Sequence, residues 1–184
     1  MKKINKVALA LSKISEVFHW GMAIVMLATL ICSVTAADWL KDFLERYSPQ
    51  HGINLSNYGF EVMVTDSAGN ANITTVFLFS IGATIIAAFM AMIFHNVYLI
   101  IKKSQNTTPF NEDNIRMLKR ISLFAIAIPI IGFIMTSIIP VVVDINVTEI
   151  SVNLDGLTIS VLVYCLTRFF EHGVEIETDV DGLL

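Results

Sequence analysis

Apolar residues along this chain are gathered into four long runs, which are separated by polar segments. A helix rises about 1.5 Å per residue, so roughly 20 apolar residues cross the hydrocarbon core of a bilayer. The runs predict four membrane-spanning helices, at about residues 17–37, 75–101, 121–139 and 154–170. The fourth run is short for a crossing, and the alternative there is a re-entrant segment.

The connecting segments complete the predicted topology. They are outer loops at 38–74 and 140–153, an inner loop at 102–120 and a tail at 171–184. Residues 60–65 in the first outer loop and 145–154 in the second alternate between apolar and polar, which is typical of strands. We therefore predict one membrane domain: an all-α, four-transmembrane-helix bundle with a small extracellular β cap formed by the two outer loops.

The first outer loop begins with an amphipathic stretch. Trp39, Leu40, Phe43 and Leu44 alternate with charged residues at helical spacing. This pattern predicts a short helix that lies at the membrane interface, with Trp39 at the level of the lipid headgroups.

Composition supports a membrane class and excludes several others. The chain is 55% hydrophobic and 15% charged, whereas soluble globular domains are about 25% charged. This excludes a basic nucleic-acid-binding domain, and we expect no direct nucleic-acid contact. The sequence has no nucleophile elbow, HExxH motif or phosphate-binding loop. We therefore expect neither an enzymatic activity nor a cofactor.

The positions of lysine and arginine predict the orientation, because basic residues are retained in cytoplasmic loops. Four basic residues precede the first span, five lie in the inner loop, one closes the fourth span, and two lie in the first outer loop. Both termini are therefore predicted to be cytoplasmic, in a multi-pass protein of the bacterial inner membrane whose surroundings are the lipid bilayer.

Ionisable residues are predicted to meet near the inner ends of the spans. The opposed directions of the helices give Glu16, His19, His95, Arg168 and Glu171 similar depths. Such groups are costly near lipid unless they are paired. One hypothesis is an ion pair, either Glu16–Arg168 or Arg168–Glu171. The other is a haem held by two axial histidines; no other metal site is predicted.

The second span carries small residues in helical register. Such stripes let helix backbones approach closely within a membrane. We interpret the stripe as packing inside one bundle, and the alternative is a homodimer face. Its residues are Ser80, Thr84, Ala88, Ala83, Ala87 and Ala91.

Two segments resemble a known family. The inner-loop stretch TPFNEDNIRMLKRI and the tail FFEHGVEIETDVDGLL resemble the matching segments of the DUF2975 family of bacterial membrane proteins. The first motif corresponds to Pro109, Phe110, Asn114, Arg116 and Leu118, and the second to Phe170, Gly173, Ile176, Asp179 and Asp181. The resemblance implies a four-helix membrane protein that sequesters or relieves a helix-turn-helix transcription factor.

These observations lead to one main functional hypothesis and two alternatives. The main one is a non-enzymatic regulator or sensor that binds a cytosolic partner through its inner loop and tail. The predicted partner-binding residues are Pro109, Phe110, Asn114, Arg116, Leu118, Phe170, Gly173, Asp179 and Asp181. The alternatives are a small transporter or immunity-type membrane protein, and a haem-binding electron carrier that uses His19 and His95.

Overall fold

The computed structural model describes residues 2–47, 54–57, 60–65, 70–105, 112–143 and 154–181. Within these ranges the chain forms five helices and one antiparallel hairpin. The elements are α1 (Lys2–Thr35), α2 (Ala37–Tyr47), β1 (Asn54–Asn57), β2 (Phe60–Met63), α3 (Ile73–Lys103), α4 (Glu112–Val143) and α5 (Leu154–Asp181). Two sets of predictions lie outside the described residues: the strand in the second outer loop and the roles of Pro109 and Phe110.

Three of the described helices are long and apolar enough to cross a membrane. They are α1 from Asn5 onward, α3 and α4, which agrees with an all-α, multi-pass membrane protein. Helix α5 is not among them. It begins at Leu154, where the fourth span was predicted to start, and continues to Asp181. Most of the predicted tail is therefore helical, and no proline interrupts that segment.

Helix α1 buries a narrow and partly polar stripe. Ser12, Glu16, His19 and Ala23 are buried and follow one another at spacings of four, three and four residues. The large apolar residues of α1, such as Ile14 and Ile24, are exposed instead. This is the reverse of a helix in water. It is the arrangement expected when lipid covers the apolar face and polar groups turn toward the protein.

Helix α3 buries four of the six small residues that were predicted to lie in register. Ser80, Ala83, Ala87 and Ala91 are each no more than 1% exposed, whereas Thr84 and Ala88 are half-buried. Helices that present small side chains can bring their backbones close together, which increases van der Waals contact. The chain itself covers the four buried residues, which agrees with packing within one molecule.

The chain divides into two compact units. The first contains residues 1–19, 89–127 and 155–184, and the second contains residues 20–88 and 128–154. All ten basic residues of the predicted cytoplasmic side belong to the first unit. Lys41 and Arg46 belong to the second.

In the second unit, the segment predicted as the first outer loop contains α2, the β1–β2 hairpin and a small apolar core, which together we call the cap. Leu40 of α2 packs with Val64 and Val76 in a core that Leu44 and Leu55 also contact. The strand predicted over residues 60–65 is present as β2, but it pairs with β1 of the same loop. Only residues 58–59 separate the two strands, and a short connection of this kind is closed at little cost in chain entropy.

The cap is joined to the start of α3 by backbone and capping bonds. The N–H of Thr75 donates to Asn72 Oδ1 at 3.2 Å, which satisfies one of the free donors at the helix N-terminus. The N–H of Asn72 itself donates to the carbonyl of Val64 at 2.7 Å. The first turn of α3 is therefore held by Asn72, which directly follows the bridge between Thr65 and Ala71.

The small stripe of α3 leads to a stability prediction. Replacing Ala83, which is fully buried, with leucine inserts three carbons where no space exists. We expect Ala83→Leu to lower the free energy of unfolding by about 1–3 kcal/mol, measured by thermal or denaturant unfolding in detergent. The matched control is Ala28→Leu, the same change at an exposed position of α1. Equal stability of the two variants would contradict the packing role.

Candidate functional site on the face of α4 and α5

Within the first unit, α4 and α5 lie side by side in opposite directions. Ser160 Oγ donates to the carbonyl of Ala125 at 2.6 Å, and the hydroxyls of Ser122 and Thr167 are 2.9 Å apart. One turn nearer the start of α4, Lys119 is paired with a residue of α5, Glu171. In these three contacts the residue number decreases along α4, from 125 to 122 to 119, while it increases along α5, from 160 to 167 to 171. The two helices are therefore antiparallel.

A cleft of about 430 Å³ opens where the first turns of α4 face the second half of α5. Its lining combines three basic side chains, three acidic ones and an apolar part. These residues are Glu112, Ile115, Arg116, Lys119, Arg168, Glu171, Val174 and Glu175. A concave surface of mixed charge with an apolar part is suited to a polypeptide ligand, whose surface combines the same kinds of group.

Glu171 is the centre of charge pairing in the cleft. Its carboxylate accepts from Lys119 Nζ at 2.5 Å and from an Arg168 guanidinium nitrogen at 2.8 Å. The bond from Lys119, followed by that from Arg168, holds the pKa of Glu171 below its ordinary value of 4.5. Because Lys119 lies on α4 and Glu171 on α5, this carboxylate ties the two helices together at the mouth of the cleft.

The predicted partner-binding residues have different positions in the structure. Arg116 is exposed and lines the cleft, whereas Leu118, Phe170 and Gly173 are half-buried. Asn114 is 1% exposed, so its side chain does not form part of the surface.

Asn114 instead has an internal contact. Its amide donates to Ser104 Oγ at 3.2 Å, which ties the start of α4 to the residue that follows α3. Asp179 and Asp181 lie in the last described turns of α5, where only the backbone is described.

The sequence interpretation did not single out several residues of the cleft. Lys119, Val174 and Glu175 line it and lie within the inner loop and tail that were predicted to bind a partner, but they were not among the named partner-binding residues. Their spacing could have identified them, because Lys119 follows Arg116 by three residues and Glu175 follows Glu171 by four. Residues three and four apart share a helix face. Once one residue of each helix is assigned to the cleft, the residues three and four positions away are therefore expected to line it too.

The two ion-pair hypotheses have different outcomes in the structure. Arg168 pairs with Glu171, at 2.8 Å. Glu16 does not pair with Arg168, because its carboxylate lies 2.9 Å from Lys13 Nζ and 3.2 Å from His95 Nδ1. Lys13 precedes Glu16 by three residues, so the helix itself supplies the nearest cation.

The two histidines proposed as haem ligands already have contacts within the protein. His19 Nδ1 lies 2.6 Å from the carbonyl of Ser15, and the His19 ring stacks on Phe94 with 5.2 Å between centroids. One ring nitrogen of His95 faces Glu16. In the part of the chain that the structure describes, no three histidine, cysteine or acidic side chains form a group that could hold a metal ion.

Hydroxyl groups within the spans bond to backbone carbonyls. Ser80 donates to Val76 at 2.7 Å, and Thr136 donates to Gly132 at 2.8 Å. A small transporter would use polar groups of this kind to line a cavity between its spans. The bonds of Ser80 and Thr136 satisfy these hydroxyls inside their own helices, so this arrangement favours packing over a polar cavity.

We compared the chain with protein-family models, curated proteins and solved structures, and none of them matches. The resemblance to the DUF2975 family therefore stays a prediction based on the two motifs.

The Glu171 pairing leads to a prediction about acid stability. A carboxyl whose pKa is lower in the folded state stabilises that state above its unfolded pKa, and this stabilisation is lost as pH falls through the folded value. We expect Glu171→Gln to be less stable than the original chain at about pH 7, and the difference to shrink as the pH falls below 4.5, the ordinary pKa of this carboxyl, toward its lower value in the folded state. Thermal unfolding in detergent across this range measures it.

The matched control for this prediction is Glu112→Gln. Glu112 lines the same cleft, and among the described residues it forms no ion pair. Its variant is expected to follow the pH profile of the original chain. A Glu171→Gln profile with an unchanged gap at all pH values would contradict the role of the carboxylate charge.

Proposed function

We propose that this protein is a non-enzymatic membrane regulator that binds a cytosolic protein, and that the α4–α5 cleft is the binding site. The observation that carries the proposal is the cleft itself, because it lies where the inner-loop helix start and the tail helix come together. These are the two segments that contain the distinctive sequence motifs. The spans between them consist mainly of generic apolar residues.

The charge of the tail helix supports a basic partner. Residues 169–184 contain five acidic side chains and no lysine or arginine. Proteins that bind DNA present basic surfaces, and complementary charge both speeds association and selects the partner. We therefore propose a helix-turn-helix transcription factor as the partner, held at the membrane away from its DNA. The outer cap of the second unit would receive the signal.

The proposal requires that α5 cross the membrane, so that the tail and the inner loop share the cytoplasm. Several large apolar residues of α5 are exposed between Leu157 and Phe169, as expected for a face that contacts lipid. The polar Ser160 and Thr167 lower the hydropathy of this helix. Their hydroxyls, however, bond to α4, so neither needs water.

Partner binding is tested with the full chain purified in detergent and a candidate helix-turn-helix protein identified by co-purification from its host. We expect Glu175→Gln, which removes an exposed carboxylate of the cleft, to weaken the affinity for a basic partner measured by titration. Truncation after Phe170 is expected to abolish binding.

Asp42→Asn is the matched control for Glu175→Gln, because Asp42 is an exposed acidic residue that lies in the other unit and does not line the cleft. It is expected to leave the affinity unchanged. Failure to recover any DNA-binding protein, or binding that survives the truncation, would contradict the proposal.

The fourth crossing is tested by labelling single cysteines in intact cells with a membrane-impermeant maleimide. Cys32 and Cys165, the only two cysteines, are first replaced by alanine. We expect Ser151→Cys, in the predicted second outer loop, to react in intact cells, and Glu175→Cys to react only after the membrane is permeabilised. Labelling of Glu175→Cys in intact cells would indicate a re-entrant segment and an external tail.

A further inference from the structure

Helix α2 carries a wider apolar face than the protein covers. Leu40 and Leu44 lie one turn apart and belong to the core of the cap. Trp39 and Phe43, also one turn apart, remain 60% and 44% exposed. Their rings stack on each other with 5.5 Å between centroids, so they form one continuous aromatic patch.

The position of α2 along the chain limits what can cover this patch. Only Ala36 separates α2 from the last residue of α1, and α1 is one of the helices able to span a membrane. Consecutive Cα atoms are about 3.8 Å apart, so α2 begins within one turn of the end of a membrane span. The hydrogen bond from the N–H of Leu40 to the carbonyl of Ala36, at 3.0 Å, keeps the junction compact.

The orientation of α2 about its own axis is also fixed. One side is held by Leu40 in the core with Val64 and Val76. Glu45 Oε1 further accepts a hydrogen bond from the N–H of Ala71 at 3.2 Å. Rotation that buried Trp39 and Phe43 against the cap would remove Leu40 and break the bond to Glu45. This orientation leaves the exposed parts of Trp39 and Phe43 on the side of α2 away from Leu40.

We infer that the Trp39–Phe43 patch is inserted into the lipid bilayer, at the boundary between the headgroups and the acyl chains. Tryptophan is enriched at this level because its ring is apolar and its N–H can bond to water or headgroups. Arg46 follows Trp39 by seven residues, which places it on the same side of the helix two turns away. It is exposed, so its guanidinium can reach lipid phosphates while its stem lies along the apolar surface.

This inference does not depend on the proposed partner binding, because the patch and the cleft belong to different units. It also goes beyond the sequence pattern, which predicted an interfacial helix but did not distinguish its two apolar sides. The structure assigns Leu40 and Leu44 to the protein, and leaves Trp39 and Phe43 for the lipid.

The test uses the fluorescence of Trp39 in the full chain reconstituted into phosphatidylcholine vesicles. The chain has two tryptophans, so Trp20→Phe leaves Trp39 as the only one. We expect an emission maximum at shorter wavelength than that of tryptophan in water. Lipids brominated close to the headgroup should quench it more strongly than lipids brominated at the chain ends, and aqueous acrylamide should quench it weakly.

Two further variants in the Trp20→Phe background sharpen the result. Phe43→Ser weakens the patch beside Trp39 and is expected to shift the emission to longer wavelength and increase quenching by acrylamide. Lys41→Ser changes the opposite side of α2 and is expected to leave both measurements unchanged.

Two outcomes would overturn the inference. Strong quenching by acrylamide with none by brominated lipids would place the patch in water. Protection from both quenchers would indicate that protein, such as a second copy of this chain, covers the patch instead of lipid.

Discussion

The absence of water inside a bilayer is the constraint on which the rest of this structure depends. A polar group there has to find its partner within the protein, and several hydroxyl groups of the described helices do so in two ways. Serine and threonine hydroxyls bond to carbonyls one turn earlier, as Ser80 and Thr136 do. Where a polar side chain points to another helix, it finds a partner on that helix, as Ser160 does with Ala125.

Charged residues near the ends of the helices are paired as well. Glu16 lies against Lys13 and His95, and Glu171 lies against Lys119 and Arg168. In both clusters one carboxylate contacts two basic side chains, one on its own helix and one on a neighbouring helix. Each cluster therefore joins a pair of helices near the ends that carry the basic residues, where apolar packing alone would not select a particular register.

Much of the fold could be predicted from the sequence, because membrane spans are long uniform runs of apolar residues. The first three spans were located in this way, and the start of α5 at Leu154 was also anticipated. The hairpin was placed only in part. Residues 60–65 showed the alternation of a strand, but Asn54–Asn57 has only one apolar residue, Leu55, and so gave no alternating signal. Its pairing depends on the short connection rather than on hydrophobicity.

The candidate site was harder to predict than the fold, because it is formed by two helices from distant parts of the sequence. The motifs indicated Arg116 but also Asn114, whose burial depends on its contact with Ser104. No local sequence pattern distinguishes a buried asparagine that bonds to a neighbouring segment from an asparagine on the surface. Glu16 and His95 were predicted to lie close together and do so, but the Glu16–Arg168 pair was wrong because the order of residues along two helices does not give the rotation of each helix about its axis.

The contrast between α1 and α3 has a consequence for how this sequence can change over time. The central stripe of α3 admits no side chain much larger than serine, since its members are almost fully covered. The exposed side of α1 faces no such limit, and Gly21 has open space where a Cβ would lie. Substitutions on the exposed side of α1 therefore have only to remain soluble in lipid, whereas substitutions in the buried stripe of α3 also have to fit a fixed side-chain volume. The sequences of the two helices are expected to diverge at unequal rates.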